Sequence, residues 1–217
     1  MIFECSNKQI VKRLMTWFCR LDEVEAKQKA INDELEAARK LAKTTKDKYL
    51  AKKQERHELF SAAFEHISGR IDEIYKELTK SPNYPDGGNA YLTLENEEEP
   101  FEEGVKYHAM PPMKKFRDIE QLSGGEQTVA ALALLFAINS FRPAPFFVLD
   151  EVDSALDNVN VNRVAKYIKK HASETFQVIQ ISFKSGLYES SDALVGIYRD
   201  TDEGSSKVLT LKLSEYS

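Results

Sequence analysis

The first long pattern in the chain is a spacing of apolar and small residues that alternates between three and four positions. It runs from Leu21 to Tyr49, and charged residues or glutamine fill most of the positions between. Such a heptad seam predicts a coiled-coil arm over residues 21–58, with no Gly or Pro before Gly69 to interrupt it. The seam consists of Leu21, Val24, Gln28, Ile31, Leu35, Ala38, Ala42, Thr45 and Tyr49.

A second apolar stripe, richer in aromatic residues, follows out of register with the first. We interpret it as the helix leaving its coiled-coil partner and entering a globular domain over residues 59–217. Ser81-Pro82 and the turn-forming run 85–88 should end the helix. Residues 1–20 form an atypical N-terminal segment, which suggests a truncated gene in which Met1 need not be the true start. The second stripe consists of Phe60, Phe64, Ile67, Ile71, Ile74 and Leu78.

Beyond the helix, apolar runs alternate with turn signals. Strand, helix and strand in succession indicate an α/β layered sheet with flanking helices. The most apolar runs, three strands and the centre of one helix (129–138), should be buried. The predicted elements are a hairpin of strands 90–94 and 104–109, a loop over 111–120, a helix over 126–139, a strand at 146–149, a helix over 158–171, buried strands at 176–182 and 193–199, and a last strand at 208–213.

Composition narrows the possible functions. The chain has 30% charged residues and a net charge of -5, which disfavours a compact, strongly basic nucleic-acid module. The basic cluster 114–117 leaves DNA contact open, although a solvated loop is the favoured interpretation. No stretch has the roughly 20 apolar residues of a membrane span, so no membrane partner is expected. Cys5 and Cys19 make no disulfide framework.

Two segments have the residue types of a nucleotide site. Ser123-Gly124-Gly125 precedes a strong helix, where glycines let backbone N–H groups approach an anion. Asp150-Glu151 follows an apolar strand; an Asp there can hold Mg²⁺, and an adjacent Glu can activate water. Ordinary explanations remain open: a capped helix for the first segment, a solvated strand end for the second, and a helix cap for Asp157.

The order of these segments resembles that of the ABC-type ATPases. Residues 122–127 look like the signature motif of that family, 146–151 like its Walker B strand and 154–157 like its D-loop. A heptad arm before such a domain is similar to the SMC chromosome ATPases. The resemblance implies an α/β fold, namely the C-terminal lobe of an ABC-type head preceded by a long coiled-coil helix. Within the SMC family the resemblance is to the first SMC subunit of cohesin, and it is carried by 67–79, 129–138 and 192–198.

The resemblance also implies an ATP hydrolase with defined roles for its residues. The signature motif would bind the γ-phosphate of ATP held by the opposite head. Asp150 would serve Mg²⁺, Glu151 would be the catalytic general base, and Asp157 would communicate across the head interface. The implied partners are an N-terminal SMC head segment, a second SMC head, a kleisin and DNA, in sister chromatid cohesion on chromosomes in the nucleus. The implied cofactor-binding residues are Leu122, Ser123, Gly124, Gly125, Glu126, Asp150 and Asp157.

The sequence also departs from the family pattern. No Gly-x-x-x-x-Gly-Lys-Ser/Thr phosphate loop is present in it, so we expect no hydrolysis by this chain alone. Phe183 occupies the position of the family's switch histidine, and Gln127 stands where a Lys is more usual. Two other hypotheses remain: a truncated, non-catalytic interaction fragment, and an SMC-like DNA-repair ATPase.

Overall fold

The computed structural model describes residues 2–173 and 176–215, with the side chains of 14–173, 176–213 and 215. The chain divides into two compact units between Arg56 and His57.

The described part of the first unit is entirely helical. It belongs to α1, which spans Ile2–Thr79 and so begins well before residue 21. At 1.5 Å per residue, the part up to Arg56 is about 80 Å long. The seam side chains are exposed; Val24 and Ile31 are 60% and 63% accessible. An exposed apolar seam of this length is typical of a helix that pairs with another.

The second unit begins with the last turns of α1, which lie in the core. Ile71, Tyr75 and Leu78 are almost completely buried. The helix ends at Thr79, where the sequence predicts it. The Thr79 hydroxyl donates to the Tyr75 carbonyl and accepts from the Gly88 N–H, so the helix end is tied to the turn that follows.

A small antiparallel sheet follows this turn. Strand β1 (Asn89–Leu94) pairs with β2 (Val105–Met110), as the sequence predicts. The prediction of a loop over 111–120 is wrong in its second half. Arg117–Asp118 forms a short strand, β3, on the other edge of β2, and Ile119–Gln121 forms a 3-10 turn. A two-residue strand is too short to show any periodicity in sequence.

Helix α2 (Gly124–Phe141) is the most apolar helix of the second unit. The Tyr107 hydroxyl of β2 donates to the Ala130 carbonyl of α2 at 3.0 Å, which ties the helix to the hairpin. The expectation that the whole run 129–138 is buried is wrong, because Leu135 and Ile138 are 41% and 47% accessible. None of the described helices has the length and hydropathy of a membrane span. The buried residues are Val129, Ala130, Leu132, Ala133, Phe136 and Ala137.

The α/β part of the fold follows. Strand β4 (Phe146–Asp150) leads through helix α3 (Asn158–His171) to β5 (Gln177–Ile181), which pairs with β4 in parallel. This arrangement confirms the predicted α/β architecture. The expectation of full burial is wrong for both strands, because the described residues pack against only one face of the sheet. The exposed face carries Phe146, Val148, Ile179 and Ile181, which are 44–56% accessible.

The chain ends in a separate hairpin after the short helix α4 (Ser185–Tyr188). Strand β6 (Ala193–Arg199) pairs antiparallel with β7 (Ser206–Lys212). The predicted strand at 193–199 is confirmed, but the expectation that it is buried is wrong, because Val195 and Ile197 are 60% and 76% accessible. An apolar run indicates the need for a covering layer, and no described residue of this chain supplies that layer for this face.

Candidate functional site

The signature segment forms the first turn of α2. Ser123 is the N-cap in extended conformation, and Gly124 and Gly125 are the first two helical residues. The Glu126 carboxylate accepts from the Ser123 hydroxyl at 2.7 Å and from the Ser123 N–H at 3.1 Å. The capped-helix interpretation is therefore correct as local structure. Since first-turn N–H groups have no intrahelical acceptor, the turn retains donors for an anion.

Lys114, which the sequence analysis placed in a solvated loop, forms an ion pair with this turn. Lys114 Nζ lies 2.7 Å from Glu126 Oε1. Partial burial by itself would raise the pKa of Glu126, but hydrogen bonds from Lys114 and Ser123 outweigh it and hold the pKa below its ordinary value. The preceding Met113 has a left-handed φ of 67° in a turn closed by the Lys114 N–H and the Pro111 carbonyl. Such a conformation is costly for a non-Gly residue.

Asp150 and Glu151 lie at the carboxyl end of β4, and both side chains are exposed. Glu151 has a left-handed φ of 47°. Its N–H donates to the Ile181 carbonyl of β5 at 3.0 Å, and its carbonyl accepts from the Ser154 N–H at 3.1 Å. The backbone thus leaves the strand in a sharp, strained turn, a conformation that is concentrated at functional sites.

The D-loop segment, 154–157, connects this turn to α3. Asp157 Oδ1 accepts from the Asn160 N–H at 2.8 Å, so the carboxylate caps α3. A Cβ added at Gly125 would lie only 3.0 Å from the Ala155 carbonyl oxygen. The structure therefore brings the signature turn and the D-loop together. Among the described hydrogen bonds and ion pairs, none joins the side chain of Asp150 or Glu151 to the signature turn.

This region is completed by three residues that the sequence did not single out: Asp153, Ser182 and Lys184. Asp153 is 3% accessible, and its Oδ2 accepts from the Ser182 hydroxyl at 2.6 Å. Lys184 Nζ donates to the carbonyls of Asp153 and Leu156. Phe183, at the switch-histidine position, is 85% accessible. The only sequence signal was the position of Asp153, two residues after Glu151.

The donor chemistry fits Mg²⁺ at Asp150. Magnesium in nucleotide sites is bound by one or two carboxylates together with substrate phosphates, rather than by a cage of protein ligands. Within the part of the chain that the structure describes, no group of three or more His, Cys, Asp or Glu side chains could hold a metal ion. Asp150 would therefore be one ligand among several.

Comparison with known proteins gives consistent matches. The RecF/RecN/SMC N terminal domain family matches residues 2–206. Structural maintenance of chromosomes protein 1 of Schizosaccharomyces pombe is 58% identical over 197 residues, which are 91% of this chain and 16% of that protein. The protein of the same name in Saccharomyces cerevisiae is 54% identical over 201 residues, 91% of this chain and 16% of that protein. The chain thus spans about a sixth of the length of these relatives.

Two solved structures are also similar. One comes from work on ATP-driven dimerization and DNA-stimulated activation of SMC ATPases; it is 40% identical with a TM-score of 0.62, over 73% of this chain and 91% of that chain. The other is an Smc head domain with an extended coiled coil from Pyrococcus furiosus, bound to the C-terminal domain of ScpA. It is 38% identical with a TM-score of 0.65, over 76% of this chain and 39% of that chain.

Proposed function

The chain belongs to the RecF/RecN/SMC family, and we propose that it is the C-terminal half of a cohesin-type SMC head that takes part in ATP hydrolysis only within an assembled pair of heads. The observation that carries this proposal is the carboxyl end of β4. There Asp150 is exposed at the strand end, and Glu151 is held in a left-handed turn between β5 and the D-loop.

At this strand end the two acids have separate tasks. Asp150 would contribute a carboxylate oxygen to Mg²⁺, which supplies charge neutralisation to the ATP phosphates. Glu151 would orient the attacking water and accept its proton. Its exposed carboxylate suits this task, because a base must reach a water at the phosphate.

The signature turn would serve a different ATP, bound on the opposite head. The N–H groups of Gly124 and Gly125 and the hydroxyl of Ser123 would donate to its γ-phosphate. Gly124 suits a close approach, since a Cβ added there would meet nothing within 4 Å inside this chain. The D-loop approaches this turn at the Ala155 carbonyl, and Asp157 would connect the two sites across the head interface.

The N-terminal head segment would supply the phosphate loop and cover the exposed face of the β4–β5 sheet. That face carries four large apolar side chains and ends in Asp150, so a covering layer would also bring its residues to the metal position. The similar solved chain with 91% coverage supports a half of this extent as a structural unit.

The remaining partners follow from the relatives. The names of the two yeast relatives refer to the maintenance of chromosomes and support a role on chromosomes. The nucleus, sister chromatid cohesion and DNA as the entrapped partner are proposed from the resemblance to the first SMC subunit of cohesin. The head domain bound to ScpA supports a kleisin partner. The exposed seam of α1 supports pairing with a second coiled-coil helix.

The test is ATP turnover by the chain alone, with an N-terminal SMC head segment supplied, and with a second SMC head and DNA added. We expect turnover only in the assembled mixtures and its loss in Glu151→Gln, which keeps the size and backbone of Glu151. Binding of the N-terminal segment without any turnover would contradict the proposal and favour a non-catalytic interaction fragment. Glu102→Gln, the same exposed acid-to-amide change in the turn between β1 and β2, is the control and should leave turnover unchanged.

A further inference from the structure

The carboxyl end of β5 is linked to the D-loop by side chains that lie outside both the Walker B-like segment (146–151) and the D-loop (154–157). The Ser182 hydroxyl donates to Asp153 Oδ2 at 2.6 Å and accepts from the Lys184 N–H at 2.9 Å. Asp153 is one of the few buried polar residues of the described chain. A buried carboxylate is retained where its hydrogen bonds are satisfied, so this link has a fixed geometry.

Lys184 makes the second link, and it acts on the D-loop backbone. Its Nζ donates to the Asp153 carbonyl at 2.7 Å and to the Leu156 carbonyl. The Asp153 carbonyl lies directly before the D-loop, and the Leu156 carbonyl lies within it. Hydrogen bonds from an ammonium group are stronger than those between neutral groups. The Lys184 side chain is only partly accessible, so water competes less for its donors.

Residue 183 cannot make such a link in this chain. Phe183 has no hydrogen-bonding group in its side chain, and it is 85% accessible. The adjacent Lys184 therefore provides the polar connection between the end of β5 and the D-loop. Because the D-loop packs on Gly125 through the Ala155 carbonyl, a shift at the end of β5 would reach the signature turn through two contacts.

We propose that Lys184 is a positioning residue that couples the carboxyl end of β5 to the D-loop, and through it to the signature turn. It touches neither nucleotide and acts by holding the Asp153 and Leu156 carbonyls. This inference rests on the proposed function for its catalytic consequence. Its structural part concerns this chain alone and can be tested without any ATP.

The first measurement is amide hydrogen exchange on the chain by itself. The Ser154 and Leu156 N–H groups donate to the carbonyls of Glu151 and Asp153, so they report on D-loop order. We expect Lys184→Met to speed exchange at these amides by on the order of tenfold, and Lys184→Gln, which keeps a shorter donor, by less. Lys166→Met, at an exposed lysine of α3, is the matched control and should leave them unchanged. Unchanged D-loop exchange in both Lys184 variants would overturn the proposal.

The second measurement is turnover by the assembled heads. Lys184→Met should lower kcat roughly tenfold or more with little change in KM for ATP, as expected when a positioning contact is lost. Lys184→Arg should restore part of the activity, because it can still donate to carbonyls. A rise in KM equal to the loss in kcat/KM would overturn the positioning role. If wild-type heads show no turnover, the proposed function fails, and the exchange result still decides whether Lys184 holds the D-loop.

Discussion

Gly124 and Gly125 are adjacent in the first turn of α2, yet their surroundings differ. A Cβ at Gly124 would meet nothing within 4 Å, whereas one at Gly125 would lie 3.0 Å from the Ala155 carbonyl oxygen. Within the chain, Gly124 thus has no steric reason to be glycine. Its lack of a side chain matters only if something outside the chain approaches closely.

Gly124→Ala should therefore separate stability from assembly. We expect the unfolding free energy of the chain to stay the same or rise by up to about 1 kcal/mol, since Ala is the better helix residue. ATP-dependent association with a second head should weaken by about tenfold or more, because the methyl group would occupy the space of the γ-phosphate. Urea denaturation and light scattering with ATP, in a Glu151→Gln background, measure the two effects.

Gly125→Ala provides the contrast for this prediction. Its Cβ would press on the D-loop, so the variant should lose stability in the isolated chain before any partner is added. Association of Gly124→Ala heads as tight as wild type would show that no ligand approaches the turn closely.

The ion pair of Lys114 with Glu126 predicts a pH-dependent stability. The folded pKa of Glu126 lies below its ordinary value, so the ionised carboxylate stabilises the fold above the unfolded pKa, and this contribution is lost as pH falls through the folded pKa. Lys114→Met should raise the pKa of Glu126. The variant should be less stable than wild type at about pH 7, and the difference should shrink toward about pH 3.

Urea denaturation across this pH range measures that difference. Lys115→Met removes an exposed neighbouring lysine and serves as the control, with no change in pH dependence expected. A stability difference between Lys114→Met and wild type that is the same at every pH would show that Lys114 acts by packing instead of through the Glu126 carboxylate.

At the scale of elements, Asp157 fixes the start of α3. Its carboxylate caps the Asn160 N–H, so Asp157→Ala should destabilise the chain by about 1 kcal/mol, and Asp157→Asn should retain most of the stability. Thermal or urea denaturation of the isolated chain measures both. Equal loss in the two variants would indicate that the negative charge, and not the hydrogen bond, stabilises the helix.

The elements also show what local patterns can predict. The helices α2 and α3 and the hairpin β1–β2 lie within two residues of their expected bounds, because periodicity and turn residues are local signals. The start of α2 at Gly124 was available in the sequence as Ser123 with Glu126 three residues later. The exposure of β6 could not be predicted. The sequence shows that this strand is apolar, but it does not show which chain covers it.

The candidate site divides in the same way. The position of Asp150 and Glu151 at the end of a strand could be predicted, because an acid after an apolar strand is a local pattern. The links of Lys184 to the D-loop and of Lys114 to Glu126 could not. Lys184 and Leu156 are 28 positions apart, and Lys114 and Glu126 are 12 positions apart. Each pair is brought together by backbone turns whose φ angles cannot be inferred from the side chains.

At the scale of the whole molecule, the described residues of the second unit leave one face of its parallel sheet uncovered. Phe146, Val148, Ile179 and Ile181 lie together on that face in register across β4 and β5. Contiguous apolar surface of this kind marks an interaction site. If the N-terminal head segment covers it, polar substitutions there should matter for assembly and not for the folding of this chain.

Val148→Thr combined with Ile179→Thr tests this with little change in strand preference, because all three residue types are β-branched. Both side chains are about half exposed, so the unfolding free energy of the isolated chain should change by within about 0.5 kcal/mol. Burying two hydroxyl groups without partners should weaken binding of the N-terminal segment by roughly 30-fold or more. The control is Val159→Thr on α3, which is 57% accessible and lies outside this face, and it should bind like wild type. Titration calorimetry with the N-terminal segment measures the binding; undiminished affinity of the double variant would mean that the segment does not cover this sheet.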